Sequence, residues 1–499
     1  MKSVAFVLSF IFLFAGIVSA NSGVKSKKVP RSYISHYENV LGTSMELKVS
    51  ATSQKQAALA EAIALAEIKR LNNILSGYDA NSEFSQWMKT FNQPVHVSKD
   101  LFTVLSLFDQ WRMQTNGVLD ASAEVIGKLW KQSATDGHIP TKTEINSAIL
   151  QVKQTHWKLD TTSQTATHLT NTPLRLNSFA KSYIIQSATN AAMSAAKING
   201  ILLNIGGDMV ITGDMNETVQ ISDPKADAEN DAPIDQLLIS NKAIATSGNY
   251  RRGELINGVW YSHIVDPRTG QPANDIISAT VVAPSATDAG ALATAFNVLT
   301  PAECVTLAAT VPEAEYLLIT KNGERIESTN WKSLELIVPA TSTSNHSTQK
   351  DWKNELLVTL ELSQQQGFAK RPFAAVWVED SNGATVKTIA LWYNKPRWLR
   401  DLREWYRDNS VAYYNNPADY VTTTSATRSP GTYTLKWDGK DDKGTVVKPG
   451  KYTVYIEVVR EHGGYDLLHQ EINCNETAQK YNLKGNVEIA GVAIDYRKK

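Results

Sequence analysis

Residues 179–213 read FAKSYIIQSATNAAMSAAKINGILLNIGGDMVITG, and this stretch decides the fold class. An Ala-rich run with helical spacing, 179–198, leads directly into the apolar strand Gly200–Ile205, a Gly-Gly turn and a second strand. Helices and strands mix in this way along residues 33–338 without strict βαβ alternation, which predicts an α+β domain. The same patterns predict further helices at 53–75, 98–114 and 286–298, and further strands at 216–222, 235–240, 278–284 and 315–320.

The last part of the chain has a different pattern. Residues 351–499 carry short runs rich in Val, Thr and Tyr that are separated by turns, which predicts a mostly-β sandwich with a helical insert at Trp392–Trp405. The Ser/Thr-rich stretch 339–350 lacks large apolar residues and is predicted to be a linker. Cys304 and Cys474 fall in different predicted domains, so we expect no structural disulfide between them.

Charge and the N-terminus narrow the function classes. The 50 Lys and Arg balance the 50 Asp and Glu, so nothing indicates a general attraction to nucleic acid. Lys2 precedes the apolar run Val4–Val18 and a small-residue site before Asn21, which predicts a secretory signal peptide over residues 1–20. The run is too short for a good membrane span. We therefore expect an exported protein that does not span the membrane after signal cleavage.

One polar turn concentrates reactive side chains. Residues 261–270 read YSHIVDPRTG and follow an apolar, strand-like run. The imidazole of His263 can move protons near neutral pH, and the guanidinium of Arg268 suits phosphate oxygens. Taken alone, the stretch also fits a polar hairpin turn with a surface salt bridge.

Three other motifs could meet a phosphate-rich ligand. The glycines Gly206 and Gly207 end a strand, and their N–H groups can cradle an anion. Ser247-Gly248 forms a hydroxyl-rich turn that is followed by two cationic residues. Lys181 stands at a helix start, where backbone donors could join it in contacting a pyrophosphate. Each motif by itself also fits a turn, a cap or a surface charge.

The order of these motifs resembles that of the ApbE-type FAD:protein FMN transferases, which are periplasmic in many bacteria, over about residues 35–325. The residues that carry the resemblance are Leu41-Gly42-Thr43, Ser76-Gly77-Tyr78, Val118-Leu119-Asp120, Ala180-Lys181, Asn204–Asp208, Ala243–Tyr250, His263–Gly270 and Ala291–Thr294. The C-terminal region looks like a domain of unassigned activity that is fused to such transferases. Its tail is similar to Ig-like repeats of exported bacterial proteins.

The resemblance implies a reaction. FAD is cleaved at its pyrophosphate, and FMN is joined through a phosphoester to a Ser or Thr of an exported acceptor protein, with Mg²⁺ as the metal. By this analogy His263 is the base, Asp266 holds its ring and Arg268 binds phosphate.

The resemblance also implies ligand sets. Residues implied to bind FAD are Leu41, Thr43, Tyr78, Val118, Leu119, Asp120, Lys181, Asn204, Gly206, Gly207, Asp208, Ser247, Gly248 and Ile264. Those implied to hold the metal are Ser178, Ala180, Asp288 and Thr294.

The sequence departs from the family pattern near the residues that are implied to hold the metal. The family usually has an Asp four residues before the Thr, where this chain has Gly290, and a Gly after the Lys, where it has Ser182. Asp288 could reach a metal if it lay in the turn before the helix. Arg175 replaces a family Asp and could itself neutralise the pyrophosphate. A degenerate protein that binds FAD or a partner without transfer, and a pyrophosphatase that releases FMN and AMP, therefore remain as alternatives.

Overall fold

The computed structural model describes residues 29–250, 252–336, 352–364, 371–393, 396–416, 420, 424–425, 427–461, 463–475 and 477–499. The predicted signal peptide and linker lie outside these ranges. The α-helices are α1 Gln54–Leu75, α2 Glu83–Trp87, α3 Lys99–Gln114, α4 Glu124–Asp136, α5 Lys142–Val152, α6 Ala180–Ala196, α7 Ala286–Val298, α8 Pro301–Ala308 and α9 Arg403–Asn415. Short 3₁₀ turns cover Ala121–Ala123, Trp331–Ser333 and Pro396–Asp401.

The strands of the first region are β1 Arg31–Val40, β2 Thr43–Ala51, β3 Pro94–His96, β4 Trp157–Asp160, β5 Thr165–His168, β6 Gly200–Ile205, β7 Asp208–Gly213, β8 Glu217–Ile221, β9 Asp235–Ile239, β10 Lys242–Gly248, β11 Gly253–Ile256, β12 Val259–Ser262, β13 Val265–Asp266, β14 Gln271–Pro272, β15 Ile276–Ala283, β16 Glu315–Thr320 and β17 Arg325–Glu327. Those of the last region are β18 Asn354–Leu362, β19 Phe373–Asp380, β20 Thr385–Trp392, β21 Thr424–Ser425, β22 Gly431–Trp437, β23 Gly450–Val459, β24 Tyr465–Cys474, β25 Gln479–Lys484 and β26 Ile489–Lys498.

An eight-stranded sheet organises the first region, in the order β1-β2-β6-β7-β10-β15-β16-β17. Every neighbouring pair in this sheet is antiparallel. An antiparallel sheet needs no helical crossover between neighbouring strands, which is why the helices and strands do not alternate along the sequence. The prediction of an α+β fold is confirmed.

Both faces of this sheet are covered. Helices α1, α6 and α7 pack on one face, and the β8–β9 pair with Trp331 covers the other. Helix α7 is buried on nearly all sides, including Ala289, Gly290 and Ala293. Its small side chains let it lie close to α6 and to the sheet, and this close approach places residues of the two helices within contact of each other.

The last region is a sandwich of two sheets, with strand orders β22-β18-β26-β25 and β21-β20-β19-β23-β24. Its core lies between the two sheets and includes Val358, Val376 and Val454, all fully buried. Helix α9 covers the outer face of the second sheet with a group of aromatic side chains that includes Trp377 and Trp405. The predicted sandwich is confirmed. The predicted insert at Trp392–Trp405 is displaced: Trp392 ends β20, a 3₁₀ turn follows at Pro396–Asp401, and the α-helix begins only at Arg403.

Two further features concern the cysteines and the helices. Cys304 lies in α8 and Cys474 in β24, and both are free and buried. Within the described ranges, every helix is too short or too polar to cross a lipid bilayer.

Candidate active site

Two hairpin turns meet at one end of the large sheet. Gly206 and Gly207 link β6 to β7 with φ values of +60° and +96°, a left-handed conformation that favours glycine. The β1–β2 turn contains Leu41, also left-handed, and leads into Thr43. A Cβ atom on Gly206 would lie 2.6 Å from Thr43 Cγ2, so only glycine permits this contact between the turns. A Cβ on Gly207 would meet nothing within 4 Å, so that side of the turn is open.

The N–H groups of the glycine turn are already used. Gly206 N donates to the Ser44 carbonyl at 3.0 Å, and Gly207 N donates to Asn204 Oδ1 at 3.0 Å. The prediction that these two donors cradle an anion is therefore wrong. The absence of side chains still lets a ligand approach the backbone closely.

Lys181 and Asp208 are the charged residues beside these two turns. We call this group of two turns and two charged residues the corner of the site. Lys181 Nζ lies 3.1 Å from Asp208 Oδ2, and the Ser182 hydroxyl donates to the same carboxylate oxygen at 3.2 Å. Burial raises the pKa of Asp208, and the neighbouring Lys181 opposes that shift. About a third of the Lys181 side chain is exposed, so its ammonium group can also meet a ligand.

Helix α6 begins in the same corner and adds backbone donors. It starts at the buried Ala180, and its N-cap residue Phe179 makes no side-chain capping hydrogen bond. The first N–H groups of an uncapped helix have no intrahelical acceptor. The N–H groups of Lys181 and Ser182 are therefore the backbone donors that could face an anion.

Thr294 joins α7 to the segment before α6. Its hydroxyl lies 3.1 Å from the Ser178 carbonyl oxygen and 3.0 Å from the Gly290 carbonyl oxygen. Two of the four predicted metal ligands, Ser178 and Thr294, are thus adjacent.

Ser182 occupies the space beside Gly290. A Cβ atom on Gly290 would lie 2.3 Å from Ser182 Oγ, which is closer than real Cβ contacts allow, and 3.1 Å from Ser182 Cβ, which is a tight contact. The two departures from the family pattern, Ser182 and Gly290, therefore depend on each other. The Ser182 side chain fills the space that a larger residue at position 290 would need.

The residues present do not fit the predicted magnesium site. Asp288 lies inside the first turn of α7, where its N–H donates to Ser285 Oγ, and not in the turn before the helix. Six residues of helix place it about 9 Å along the axis from Thr294, and burial raises its pKa. The Asp208 carboxylate is already paired with Lys181. Among the described residues, no group of three His, Cys, Asp or Glu side chains could hold a metal ion.

Two buried side-chain amides form links around the end of β10, one from α7 and one from the residue after β10. Asn297 Nδ2 donates to the Ser247 carbonyl at 2.9 Å, and Asn249 Nδ2 donates to the carbonyls of Ala273 and Ile276, each at 3.1 Å. The sequence interpretation missed both amides. A polar residue inside an Ala-rich buried helix, three positions after Thr294, was the available signal for Asn297.

His263 directly follows strand β12 of the β11–β12 hairpin. The ring Nδ1 atom lies 2.9 Å from the Arg252 carbonyl oxygen, and the His263 backbone N–H donates to the same oxygen. The β11–β12 ladder fixes this pairing by placing Gly253 opposite Ser262. The following Ile264 is fixed by an N–H bond to Ser262 Oγ at 2.9 Å, and its carbonyl accepts the Ala273 N–H at 2.8 Å.

The carbonyl contact sets the tautomer of His263. A ring nitrogen that faces a carbonyl oxygen must carry the proton, so the lone pair of the neutral ring is on Nε2. Nε2 makes no hydrogen bond within the described part of the chain. Partial burial lowers the pKa of His263 below its ordinary value of 6.5; the Arg252 carbonyl opposes this shift, and the Arg252 charge adds to it. The neutral form, which can accept a proton, is therefore favoured near pH 7.

Asp266 and Arg268 have different partners from those predicted. Asp266 accepts from Arg268 Nε at 3.0 Å and from Nη2 at 3.0 Å, and it makes no contact with the His263 ring. Arg268 Nη1 also donates to Glu303 Oε1 at 3.2 Å. The prediction that Asp266 holds His263 is wrong, because the guanidinium two residues away takes its carboxylate. Phosphate binding by Arg268 stays a prediction, with two carboxylates competing for the guanidinium.

Three residues predicted to bind FAD are part of the scaffold. The side chains of Val118 and Leu119 are buried in the main core. Asp120 accepts the Ser122 N–H at 2.8 Å and pairs with Arg112 Nε at 2.8 Å. Their side chains are committed to packing and capping, so a ligand cannot meet them without disrupting that core.

Tyr78 is exposed and held from two sides. The guanidinium carbon of Arg175 lies 4.5 Å from the centre of its ring, and Asn177 Nδ2 donates to its hydroxyl at 2.8 Å. Arg175 also pairs with Glu124 at 3.1 Å and donates to the Gly77 carbonyl at 2.6 Å. A pyrophosphate would have to compete with these contacts for the Arg175 guanidinium. The ring of Tyr78 is exposed and remains accessible to a ligand.

A cavity of about 550 Å³ opens beside the His263 turn. The ring of Tyr250 packs over Gly248, where a Cβ would lie 2.6 Å from Tyr250 Cε1. The cavity therefore lies between the end of β10 and the β11–β12 hairpin. Its lining residues include Asn249, Tyr250, Trp260, Tyr261, Ser262 and Gln271.

Comparison with known proteins gives consistent results for both regions. Residues 41–318 match the ApbE family, and residues 355–491 match a family described as "Predicted periplasmic protein (DUF2271)". An FAD:protein FMN transferase of Vibrio cholerae is 29% identical over 240 residues, covering 46% of this chain and 71% of that protein. One of Haemophilus influenzae is 27% identical over 335 residues, covering 64% of this chain and 94% of that protein.

Solved structures show the same relationship. The ApbE protein of Thermotoga maritima has a TM-score of 0.55 at 27% identity, covering 61% of this chain and 100% of its own. The flavin transferase ApbE of Vibrio cholerae has a TM-score of 0.51 at 22% identity with the same coverage, a likeness of fold alone. Because the match to residues 41–318 spans more than half of the 499 residues, this chain belongs to the ApbE family.

Proposed function

We propose that this chain is an FAD:protein FMN transferase that attaches FMN through a phosphoester to a Ser or Thr of exported acceptor proteins. The observation that carries the proposal is the state of His263: the Arg252 carbonyl holds Nδ1, and Nε2 is not hydrogen-bonded within the described part of the chain. A cavity lined by the preceding Tyr261 and Ser262 opens beside this turn. The proposed organisation is a signal peptide at 1–20, a transferase domain at 33–338, a linker at 339–350 and a sandwich at 351–499.

The proposed chemistry is a displacement at phosphorus. The acceptor hydroxyl gives its proton to His263 Nε2 while its oxygen forms a bond to the phosphorus of the FMN half. The bond between this phosphorus and the bridging oxygen breaks, and AMP leaves with that oxygen. Lys181 and the first N–H groups of α6 are the groups that would stabilise the charge on the phosphate oxygens.

The resemblance also predicts Mg²⁺ as a cofactor, which when bound would neutralise pyrophosphate charge. Ser178 and Thr294 supply a carbonyl and a hydroxyl, and the described residues contain no group of three His, Cys, Asp or Glu side chains that could complete a site. We therefore assign no step to a metal ion. Dependence on Mg²⁺ is a variable of the assay below.

The match of residues 355–491 to a predicted periplasmic family supports a role outside the cytoplasm. We propose export by the N-terminal signal peptide to the periplasm, with acceptor proteins that are exported as well. The balanced charge of the chain gives no general attraction to nucleic acid.

The decisive experiment measures transfer and cleavage together. Mature protein is incubated with FAD and an exported acceptor domain, with Mg²⁺ or with EDTA, and gel-resolved flavin fluorescence and AMP are followed. An acceptor whose target Ser or Thr is replaced by Ala is the control. Equal amounts of labelled acceptor and AMP support transfer. AMP without label supports a pyrophosphatase, and FAD binding without either product supports the binding-only alternative.

A further inference from the structure

A β-bulge turns Glu38 away from the large sheet. The pairing register of β1 and β2 shifts between Tyr37 and Val40, so Glu38 and Asn39 fall outside the ladder. Asn39 has a φ of +56°, which marks the kink. Bulges at sheet edges commonly re-aim a side chain.

The re-aimed carboxylate contacts the C-terminal sandwich. The Arg371 N–H donates to Glu38 Oε2 at 3.1 Å, and the Thr427 hydroxyl donates to Glu38 Oε1. Thr427 is only 2% exposed and Glu38 is half-buried, so this contact is partly shielded from water. Hydrogen bonds to an ionised carboxylate are stronger than neutral ones, particularly where water is excluded.

The same hairpin borders the proposed flavin site. The left-handed Leu41-Gly42 turn follows the bulge directly, and Thr43 then packs on Gly206. Gly206 N also donates to the Ser44 carbonyl at 3.0 Å. The position of the β1–β2 turn therefore decides the position of the glycine turn beside Lys181 and Asp208.

A second set of hydrogen bonds joins the two domains without using Glu38. The Asn230 side-chain amide donates to the Lys436 carbonyl at 2.7 Å, and its Oδ1 accepts the Lys436 N–H at 2.8 Å. The Glu229 N–H donates to the Thr434 carbonyl at 2.8 Å, and Lys436 Nζ pairs with Asp231 at 2.7 Å. The loop between β8 and β9 thus pairs with the edge strand β22. Glu229 of this loop also lies 3.7 Å from Arg428, the residue after Thr427, so the two contacts belong to one interface but use different side chains.

We propose that the C-terminal domain positions the β1–β2 hairpin of the flavin site through Glu38, so that docking of the sandwich sets the affinity for FAD. Glu38 is a positioning residue, since it acts through the hairpin and not on the ligand. The effect on FAD rests on the proposed function, whereas the restraint on the hairpin does not.

The test uses three variants of the full chain. Glu38→Ala removes both acceptors, Glu38→Gln keeps one neutral oxygen acceptor, and Asn230→Ala weakens only the second contact. Hydrogen exchange of residues 41–46 without FAD reports the hairpin, flavin fluorescence reports the Kd for FAD, and transfer assays report KM and kcat. For Glu38→Ala we expect faster exchange and a KM for FAD raised roughly five- to tenfold, with kcat within about twofold of wild type.

The controls separate the possible outcomes. Glu38→Gln is expected to restore part of the affinity, and Asn230→Ala is expected to leave the exchange of residues 41–46 and the KM unchanged. Unchanged exchange in Glu38→Ala overturns the proposal, and so does an equal effect of Asn230→Ala, because the restraint would then not pass through Glu38. If the wild-type protein neither binds nor uses FAD, the proposed function fails while the exchange comparison still decides the proposal.

Discussion

At the scale of single residues, two local arrangements decide what the site can do. The Arg252 carbonyl, and not Asp266, holds the ring of His263. Ser182 fills the space that a side chain at Gly290 would occupy. The first arrangement supports a neutral base with its lone pair on Nε2. The second leaves no space at Gly290 for the carboxylate that the family usually has there.

The protonation of His263 predicts a pH dependence of transfer. The base must be neutral, and burial lowers the pKa of His263 from 6.5. The rate should therefore rise with pH through a midpoint below 6.5 and be level above it. A kcat profile from about pH 5 to pH 8 measures this midpoint, and a midpoint above 6.5 contradicts the assignment.

Replacement of this base gives an independent check. His263→Gln should reduce transfer by roughly 10²- to 10⁴-fold, the usual contribution of a general base. The Kd for FAD should stay close to the wild-type value, because the ring acts on the acceptor hydroxyl. His138→Gln, a change of an exposed histidine elsewhere, is the matched control and should leave transfer intact.

The packing of Ser182 against Gly290 predicts a coupled pair of substitutions. Gly290→Asp alone should lower the free energy of unfolding by about 1–3 kcal/mol, the usual cost of overpacking. Ser182→Gly with Gly290→Asp should recover much of this loss, since the 2.3 Å conflict disappears. Urea unfolding of both single variants and the double variant measures the coupling, and additive effects would contradict it.

At the scale of elements, helix α7 is the part that holds the site together. Thr294 contacts the carbonyl of Ser178 before α6, and Asn297 reaches the carbonyl of Ser247 at the end of β10. Both bonds are partly buried, and Asn297 itself is only 1% exposed. A helix of small residues can therefore fix two separate turns of the site.

Asn297→Ala tests this role of α7. The substitution removes the donor to a carbonyl at the end of β10, and a buried unpaired carbonyl costs about 1–3 kcal/mol. We expect a loss of stability in that range together with a raised KM for FAD. Asn190→Ala, an exposed change on α6, should alter neither quantity, and equal effects of the two variants would count against the role.

At the scale of the whole molecule, two folded cores are joined by polar contacts through Glu38 and Asn230. Each core contains one cysteine, Cys304 in the first and Cys474 in the second. The thiols therefore report separately on the two domains.

Thiol reactivity should show both cores intact. Burial raises the pKa of Cys474 to about 12 and also raises that of Cys304. Since the thiolate is the reactive form, neither thiol should react with a disulfide reagent at pH 8 in the native protein. Two thiols should react after denaturation, and a thiol that reacts quickly in the native state would show that its domain is open.

The sequence by itself determined the α+β domain, the sandwich and the positions of His263 and of the Gly206-Gly207 turn. These features depend on residue spacing within short segments, where periodicity and turn chemistry act locally. Only the tertiary structure decided that Ser182 fills the space at Gly290, that Asp266 pairs with Arg268, and that Glu38 reaches the second domain. The competition for Asp266 depends on side-chain geometry within one turn. The other two contacts join residues far apart in sequence, so packing of helices, sheets and domains sets them, and no local pattern records it.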